Sequence, residues 1–302
     1  MLRSLIACVT ALVLLTSCGG GTSQIEPFKP ARVLAFGDEA SLITPQGLKY
    51  SINEYGSDGA TLDCKLSPVW VQILAGIYGY GFEQCPVGTG EQKAKSWAQA
   101  GARAADLVQQ VDAQAAAGGF TTSDLVTVLV GSHDVLDLYL QYPAKSEAEV
   151  LALARQRGEL VAAQVNRMVN LGAKVIVSTI PDMGLSPYAA AQGPAAAALL
   201  SSMSLALNGR IRVNIINDGR YVGLVLADEF VQTASKASFL FGLSDVTTSA
   251  CTVSLPDCTN KTLSRTDYLP LAWLWADDRR LGTGGHRQLG VLAESRARYN
   301  PF

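Results

Sequence analysis

The 302-residue chain has 48% hydrophobic and 17% charged residues, a globular composition that excludes disorder for most of its length. Lys and Arg number 24 against 26 Asp and Glu, so the formal net charge is −2. Because the chain has no long basic run, we expect no nucleic-acid partner. The length fits one large domain or two small ones.

The first segment of the chain has the pattern of a targeting sequence. Arg3 gives it a positive start, and Leu5–Leu15 is an apolar run too short to span a bilayer. The residues Leu15-Thr16-Ser17-Cys18 resemble a bacterial lipobox, which implies cleavage before Cys18 and lipidation of that cysteine. An ordinary cleaved secretory signal is the alternative.

The lipobox resemblance implies an organisation and a location for the chain. We expect a signal peptide at residues 1–17, a lipidated tether at residues 18–30 and a folded body at residues 31–302. The lipid would attach the protein to a membrane of the bacterial cell envelope. No Asp follows Cys18, which in such lipoproteins favours the outer membrane.

The remaining cysteines agree with export. Cys64, Cys85, Cys251 and Cys258 are an even number of thiols in an oxidising compartment, where disulfides form. Four cysteines allow three pairings, and proximity in sequence favours Cys64–Cys85 and Cys251–Cys258, each bracing a long loop. The chain lacks Cys-x-x-Cys and paired-histidine spacing, so we expect no metal and no cofactor.

The body alternates apolar runs of strand length with segments of helical length. The predicted strands are 32–36, 124–130, 174–180 and 221–227, and the predicted helices are 67–78, 102–117, 146–171, 195–217 and one after Gly285. This order predicts an α/β fold with a doubly wound, mostly parallel sheet, in which sites lie at the carboxyl ends of strands. We therefore expect functional residues just after Phe36, Val130, Ile180 and Ala227.

Four blocks in chain order resemble those of the GDSL, or SGNH, hydrolase family. They are Gly37-Asp38-Glu39, Ala98 to Ala102, Gly131-Ser132-His133-Asp134, and Asp277 to Arg280 followed by Gly285-His286. The resemblance spans about residue 32 to the end of the chain. It implies a flavodoxin-like sheet flanked by helices and hydrolase activity on ester bonds.

The family's reacting positions are altered in this chain. The resemblance puts Glu39 at the nucleophilic serine, His133 at the oxyanion-hole asparagine and Arg280 at the catalytic histidine. Gly101 and Asp277 keep the family's residues. A serine esterase needs a hydroxyl and an imidazole base, and an arginine is never deprotonated in proteins. The family's usual mechanism therefore does not operate, and enzyme activity is left open.

The altered residues form a complementary set. If the fold matches the family's, Glu39 and Arg280 take positions that normally hydrogen-bond, so we expect a salt bridge between them and Asp277 on the same guanidinium. One interpretation is a pseudo-esterase whose former cleft binds an acyl, ester or glycan ligand, or a partner. The other is a relic cleft plugged by the ion pair. The oligomeric state is left open.

Two catalytic alternatives use other residues. A displaced triad would combine Ser41 with His133 and an aspartate, although a nucleophile moved by two residues leaves the oxyanion donors. A glycosidase-like carboxylate pair would combine Glu39 with Asp277 or Asp38. His286 is interpreted as a residue that packs beneath the site.

Overall fold

The computed structural model describes residues 28–86 and 91–302. The expected signal peptide, Cys18 and all of the tether before residue 28 lie outside the described residues. In the part that is described, no helix is both long enough and apolar enough to cross a membrane.

Strands and helices alternate along the described chain. The strands are β1 (Arg32–Gly37), β2 (Ala94–Ser96), β3 (Asp124–Leu129), β4 (Lys174–Ser178), β5 (Val222–Val225), β6 (Asp245–Ser249) and β7 (Trp273–Trp275). The helices are α1 (Trp70–Gly76), α2 (Leu107–Ala116), α3 (Ser132–Tyr139), α4 (Glu147–Asn170), α5 (Pro187–Gln192), α6 (Pro194–Asn214), α7 (Ala227–Lys236) and α8 (Thr283–Tyr299).

The centre of the fold is a parallel sheet of five strands in the order β2-β1-β3-β4-β5. All of β3 is buried, because helices cover both faces of the sheet. α1 and α8 pack together on one face, and α2, α4 and α6 form the layer on the other. The predicted doubly wound α/β fold is confirmed. The strands are near-continuous apolar runs because neither face meets water.

Several boundaries differ from the predicted ones for local reasons. α1 begins at Trp70, because Ser67 has a φ of 47° and precedes a proline, which keeps it out of a helix. α8 begins at Thr283, before the two glycines that were expected to precede it. At Gly284 a Cβ atom would lie 2.4 Å from the carbonyl oxygen of Leu271, so this glycine permits close packing inside the first turn.

Short elements are absent from the sequence prediction. The edge strand β2 and the helices α3, α5 and α7 are each ten residues long or less, so each offers too few residues for a pattern to be recognised with certainty from the sequence. The sequence pattern of Trp273 to Trp275 is also too short to predict as a strand. These residues form β7, which is fully buried and pairs with β6 in a separate two-stranded sheet.

Both expected disulfides are present. The Cα atoms are 5.7 Å apart in Cys64–Cys85 and also in Cys251–Cys258. The first bridge joins the loops on either side of α1, where the buried Lys49 ammonium donates to the carbonyl oxygen of Cys64 at 3.1 Å. The first disulfide therefore braces the connections on either side of α1, and the second lies in the connection between β6 and β7.

Candidate functional site

Three loops at the carboxyl edge of the large sheet meet the turn that follows β7. The chain turns sharply after β1 because Gly37 has a φ of 121°, where a Cβ atom would lie 1.9 Å from the carbonyl oxygen of Leu129. The Asp38 carboxylate then accepts the Ala40 N–H at 3.0 Å and caps the 3₁₀ turn Glu39–Ser41. This turn directs Glu39 into a cleft at the edge of the sheet.

The Glu39 carboxylate has partners from each of the three other sequence blocks. It accepts the Gly101 backbone N–H at 2.8 Å and contacts His133 Nε2 at 2.8 and 2.9 Å. Arg280 Nε also donates to Glu39 Oε1. Glu39 is only 3% exposed. Both of its oxygens are therefore occupied within the protein.

Arg280 is held by a second carboxylate, that of Asp277. Its Nη1 donates to Asp277 Oδ2 at 2.6 Å. The backbone N–H groups of Arg279 and Arg280 donate to Asp277 Oδ1 at 3.0 and 2.7 Å. The Tyr50 ring lies 5.8 Å from the guanidinium carbon. The expected arrangement, one guanidinium between two carboxylates, is present.

The charges around the cleft keep the Glu39 carboxylate ionised. Burial acts to raise the pKa of Glu39, but the hydrogen bond and charge of His133 and the charge of Arg280 outweigh it and lower that pKa to about 2. The hydrogen bond to Glu39 raises the pKa of His133 against the opposing effect of burial. Burial and then the Glu39 charge raise the pKa of Asp38 to about 7. Glu39 is therefore ionised at neutral pH.

The remaining cleft is small. Its volume is about 40 Å³, with Tyr50, Ser132, Leu136, Pro181 and Arg279 among its lining residues. Such a space holds a few water molecules or a small group. Drug-sized ligands need several hundred cubic ångströms. The internal ion pairs therefore fill most of the space where the family resemblance places the reacting atoms.

The displaced triad based on Ser41 is excluded by the position of this residue. Ser41 is fully buried, and its hydroxyl oxygen accepts the indole N–H of Trp70 at 3.1 Å. Ser132 does line the cleft, but His133 Nε2 is bound to Glu39. Neither serine therefore has the nucleophile–imidazole contact that this alternative requires.

The glycosidase-like alternative also lacks support. Glu39 and Asp277 both bind Arg280, and the lowered pKa of Glu39 keeps that carboxylate from serving as the protonated acid. Of the three carboxyl groups in this alternative, Asp38 has a raised pKa. Its carboxylate, however, accepts the Ala40 N–H and caps the turn. Asp38 does line the cleft, but Glu39, the other carboxylate of that pair, has both oxygens bound within the protein.

His286 lies beneath the site, as expected. It is buried in the first turn of α8, and its Nδ1 accepts the Trp70 backbone N–H at 3.4 Å. Burial and then the charge of Lys49 lower the pKa of His286 to about 3. The imidazole is therefore neutral, and its contact is structural.

The segment after β5 does not contribute to the cleft, contrary to expectation. α7 begins at Ala227, and Asp228 is buried in bonds to Thr179 at 2.8 Å, Asn208 at 3.1 Å and Arg212 at 2.9 Å. These bonds tie the end of β5 to α6. The fourth loop of the site comes instead from beyond β7.

Sequence reasoning missed residues that position the site. Asp134 accepts the Ala104 N–H at 2.8 Å and thereby fixes the loop that presents Gly101. The position of Asp134 in the third block, next to His133, is the sequence feature that could have indicated this role. Pro181 directly follows Ile180, where functional residues are expected, whereas Tyr50 lies in no block and only the folded chain brings it to the cleft.

No protein-family model and no curated protein matches this chain. Among solved structures it is similar to a lipolytic G-D-S-L family protein from Veillonella parvula, at 12% identity over 87% of this chain and 96% of that one, with a TM-score of 0.43. It is also similar to an acetylxylan esterase from Geobacillus stearothermophilus, at 16% identity over 90% and 96% of the two chains, TM-score 0.46.

A third likeness is to a phospholipase A1 from Streptomyces albidoflavus, at 15% identity over 88% of this chain and 98% of that chain, with a TM-score of 0.44. At these identities the likeness concerns the fold alone. These solved structures include a protein named for the family that the sequence blocks resemble.

Proposed function

We propose that this chain is an SGNH-type lipoprotein of the bacterial cell envelope that has lost ester hydrolysis and binds a ligand or partner at the former cleft. One observation carries the proposal. The Glu39 carboxylate accepts from the Gly101 N–H and contacts His133, the two positions where the family resemblance implies oxyanion donors. An internal anion thus occupies the place of the reaction's anion.

The chemistry of the site supports the loss of hydrolysis. A carboxylate held by Arg280 and His133 is a poor nucleophile toward an ester, because its charge is already neutralised. Arg280 cannot accept the proton that a serine would lose. Neither of the two groups that start acyl transfer is therefore present at the family's positions.

The cleft retains features that suit binding. Its polar floor is prearranged, and its walls include Leu136 and Pro181. An acyl, ester or glycan ligand that reached the floor would compete with Glu39 for the Gly101 N–H and Arg280. A larger ligand or a protein partner would rest across the mouth, because the cavity itself is small.

The proposal is tested by restoring the family's residues. The triple variant Glu39→Ser, His133→Asn, Arg280→His should hydrolyse short p-nitrophenyl esters, because it regains a hydroxyl, an oxyanion donor and an imidazole beside Asp277. The matched control carries Glu39→Ala with the same two other changes and should be inactive. Turnover by the parent protein, with fluorophosphonate labelling of a serine, would overturn the proposed loss of activity.

Binding is tested on the unmodified protein. His133 and His286 are the two histidines of the chain, so their imidazole NMR signals are easily separated. A ligand that enters the cleft must disturb the Glu39–His133 contact and shift the His133 signals. Screens of acyl esters and glycans that leave both histidines unchanged at saturating concentrations would contradict binding of these classes at the floor.

A further inference from the structure

Large apolar side chains are exposed around the outer side of α8. Phe239 is 78% exposed, Leu240 64% and Leu269 74%, whereas such side chains are usually buried or scattered singly. Leu271, Val291 and Leu292 are also exposed. We refer to these six residues as the α8 face.

Backbone contacts bring the parts of the α8 face together. Phe239 and Leu240 lie in the 3₁₀ turn Ser238–Phe241, whose last carbonyl accepts from the Gln288 side chain of α8 at 3.2 Å. The turn that contains Leu271 packs on Gly284 of α8. The two turns are linked, because the Ser244 N–H donates to the carbonyl of Ala272 at 2.8 Å.

A groove continues the α8 face along the helix. Val291 and Leu292 line one side of it, and Phe230 and Phe241 line the other. The groove lies between α7 and α8. The apolar surface therefore extends from the turns at the amino end of α8 to about the middle of the helix.

α8 is also positively charged. Its three arginines, Arg287, Arg296 and Arg298, outnumber the single glutamate, Glu294. All three arginines are exposed. The helix thus carries a net charge of +2 in a chain whose overall charge is −2. An anionic surface would be attracted to this helix rather than to the average surface of the protein.

The described chain begins at the other end of the same helix. The rings of Phe28 and Phe302 are 5.8 Å apart, and Phe302 lies just beyond the carboxyl end of α8. Cys18 precedes Phe28 by ten residues, a length of chain that reaches at most about 35 Å. α8 itself, with 17 residues, is about 25 Å long.

We propose that the α8 face lies on the surface of the bilayer that holds the lipid anchor. The apolar side chains of the two turns enter the interface, while the arginines of α8 contact anionic headgroups. The inference rests on the anchoring at Cys18 that is part of the proposed function. Because the reach of the chain from Phe28 to Cys18 exceeds the length of α8, an anchored Cys18 and the apolar turns at the amino end of the helix can meet the same membrane.

The test uses the mature, lipidated full-length protein in vesicles of phosphatidylglycerol and brominated phosphatidylcholine. The variant Leu240→Trp places a fluorophore in the α8 face, and its emission should be quenched by bromine and shifted to shorter wavelength. The matched control is Leu205→Trp, because Leu205 is 62% exposed on α6, on the opposite face of the sheet. The tryptophan added at that position should keep its emission.

The possible results separate the docking from the anchor. In one outcome the protein sediments with the vesicles, but bromine quenching and emission wavelength are the same in both variants. This result would overturn the docking and leave the anchor intact. A wavelength shift without quenching would also overturn the docking, since a second copy of the protein, and not lipid, would then cover the face. If the mature protein is recovered soluble, the anchor is wrong, and the same quenching measured after adding this protein to vesicles still decides whether the face binds lipid.

The role of the arginines has its own measurement. Replacing phosphatidylglycerol by neutral lipid should weaken the quenching of the tryptophan introduced at residue 240. The physical reason is that each arginine near an anionic surface contributes about a fivefold gain in partitioning. Quenching that is identical in neutral vesicles would overturn the part of the proposal that assigns headgroup contacts to α8.

Discussion

The Gly101 N–H donates to Glu39 Oε2 at 2.8 Å, so a carboxylate of the protein occupies a backbone donor at the floor of its own cleft. In an acyl-transfer enzyme, a donor in such a place stabilises negative charge that appears only in the transition state. Here the charge is permanent and is also neutralised by Arg280 and His133. The Glu39 charge is thus held in the folded state by ion pairs within the protein.

Removal of Arg280 should destabilise the protein by about 3 kcal/mol, because Glu39 and Asp277 then face each other without the cation. The Arg280 side chain is one-quarter exposed, and in its absence Glu39 still has the His133 and Gly101 contacts. The expected loss of stability is therefore at the lower end of the range for a buried ion pair. Urea unfolding of Arg280→Met measures the cost. The double variant Arg280→Met, Glu39→Gln is the control and should lose less, and an equal or larger loss would contradict the ion pair.

The stabilising effect of the Glu39 charge should disappear in acid. The pKa of Glu39 is lowered in the folded protein to about 2, from 4.5 in the unfolded chain. Its contribution is therefore complete above about pH 4.5 and is lost as the pH falls through about 2. The comparison is the free energy of unfolding of the parent minus that of Glu39→Gln at several pH values. A difference that stays constant from pH 6 to about pH 2 would contradict the assigned pKa.

The charge of His133 should stabilise the folded protein at low pH and cease to do so as the pH rises. Its pKa is raised in the folded state, chiefly by the hydrogen bond to Glu39. The stabilisation is thus present below the unfolded pKa of 6.5 and is lost as the pH rises through the higher folded value. NMR titration of the His133 imidazole measures this pKa directly. In Glu39→Gln the pKa should fall, and an unchanged value would show that Glu39 is not its cause.

The sequence predicted the sheet because each central strand is a continuous apolar run of its own, as in β3 and β4. It also predicted the contact between Glu39 and Arg280, because the resemblance to the SGNH family implies that these two positions hydrogen-bond. The cleft position of Tyr50 depends on contacts between distant segments, which no local pattern contains. The same holds for α7, whose Asp228 accepts hydrogen bonds from Thr179, just after β4, and from Asn208 of α6.

Lipidation of Cys18 predicts how the protein fractionates in cells. Cys18→Ala removes the residue that would carry the lipid, so the product should be unprocessed or soluble rather than a mature membrane protein. Fractionation with detergent extraction and mass measurement distinguishes these forms. Cys8→Ala is the matched control, because Cys8 lies inside the expected signal peptide, and it should fractionate like the parent. A Cys18→Ala protein that is processed and pelleted as before would contradict the lipobox interpretation.

The two disulfides should contribute unequally to stability. Cys64 and Cys85 are 21 residues apart, whereas Cys251 and Cys258 are 7 apart. If each bridge acts by restricting the unfolded chain, the first is worth about 3 kcal/mol and the second about 2 kcal/mol. Urea unfolding of the double variants Cys64→Ser, Cys85→Ser and Cys251→Ser, Cys258→Ser measures the two losses under the same conditions. Ser is used in both pairs, so the chemical change is matched and the loop length is the main difference. A larger loss from the shorter loop would show that local packing, including the Lys49 contact to the Cys64 carbonyl, outweighs the entropy of the unfolded chain.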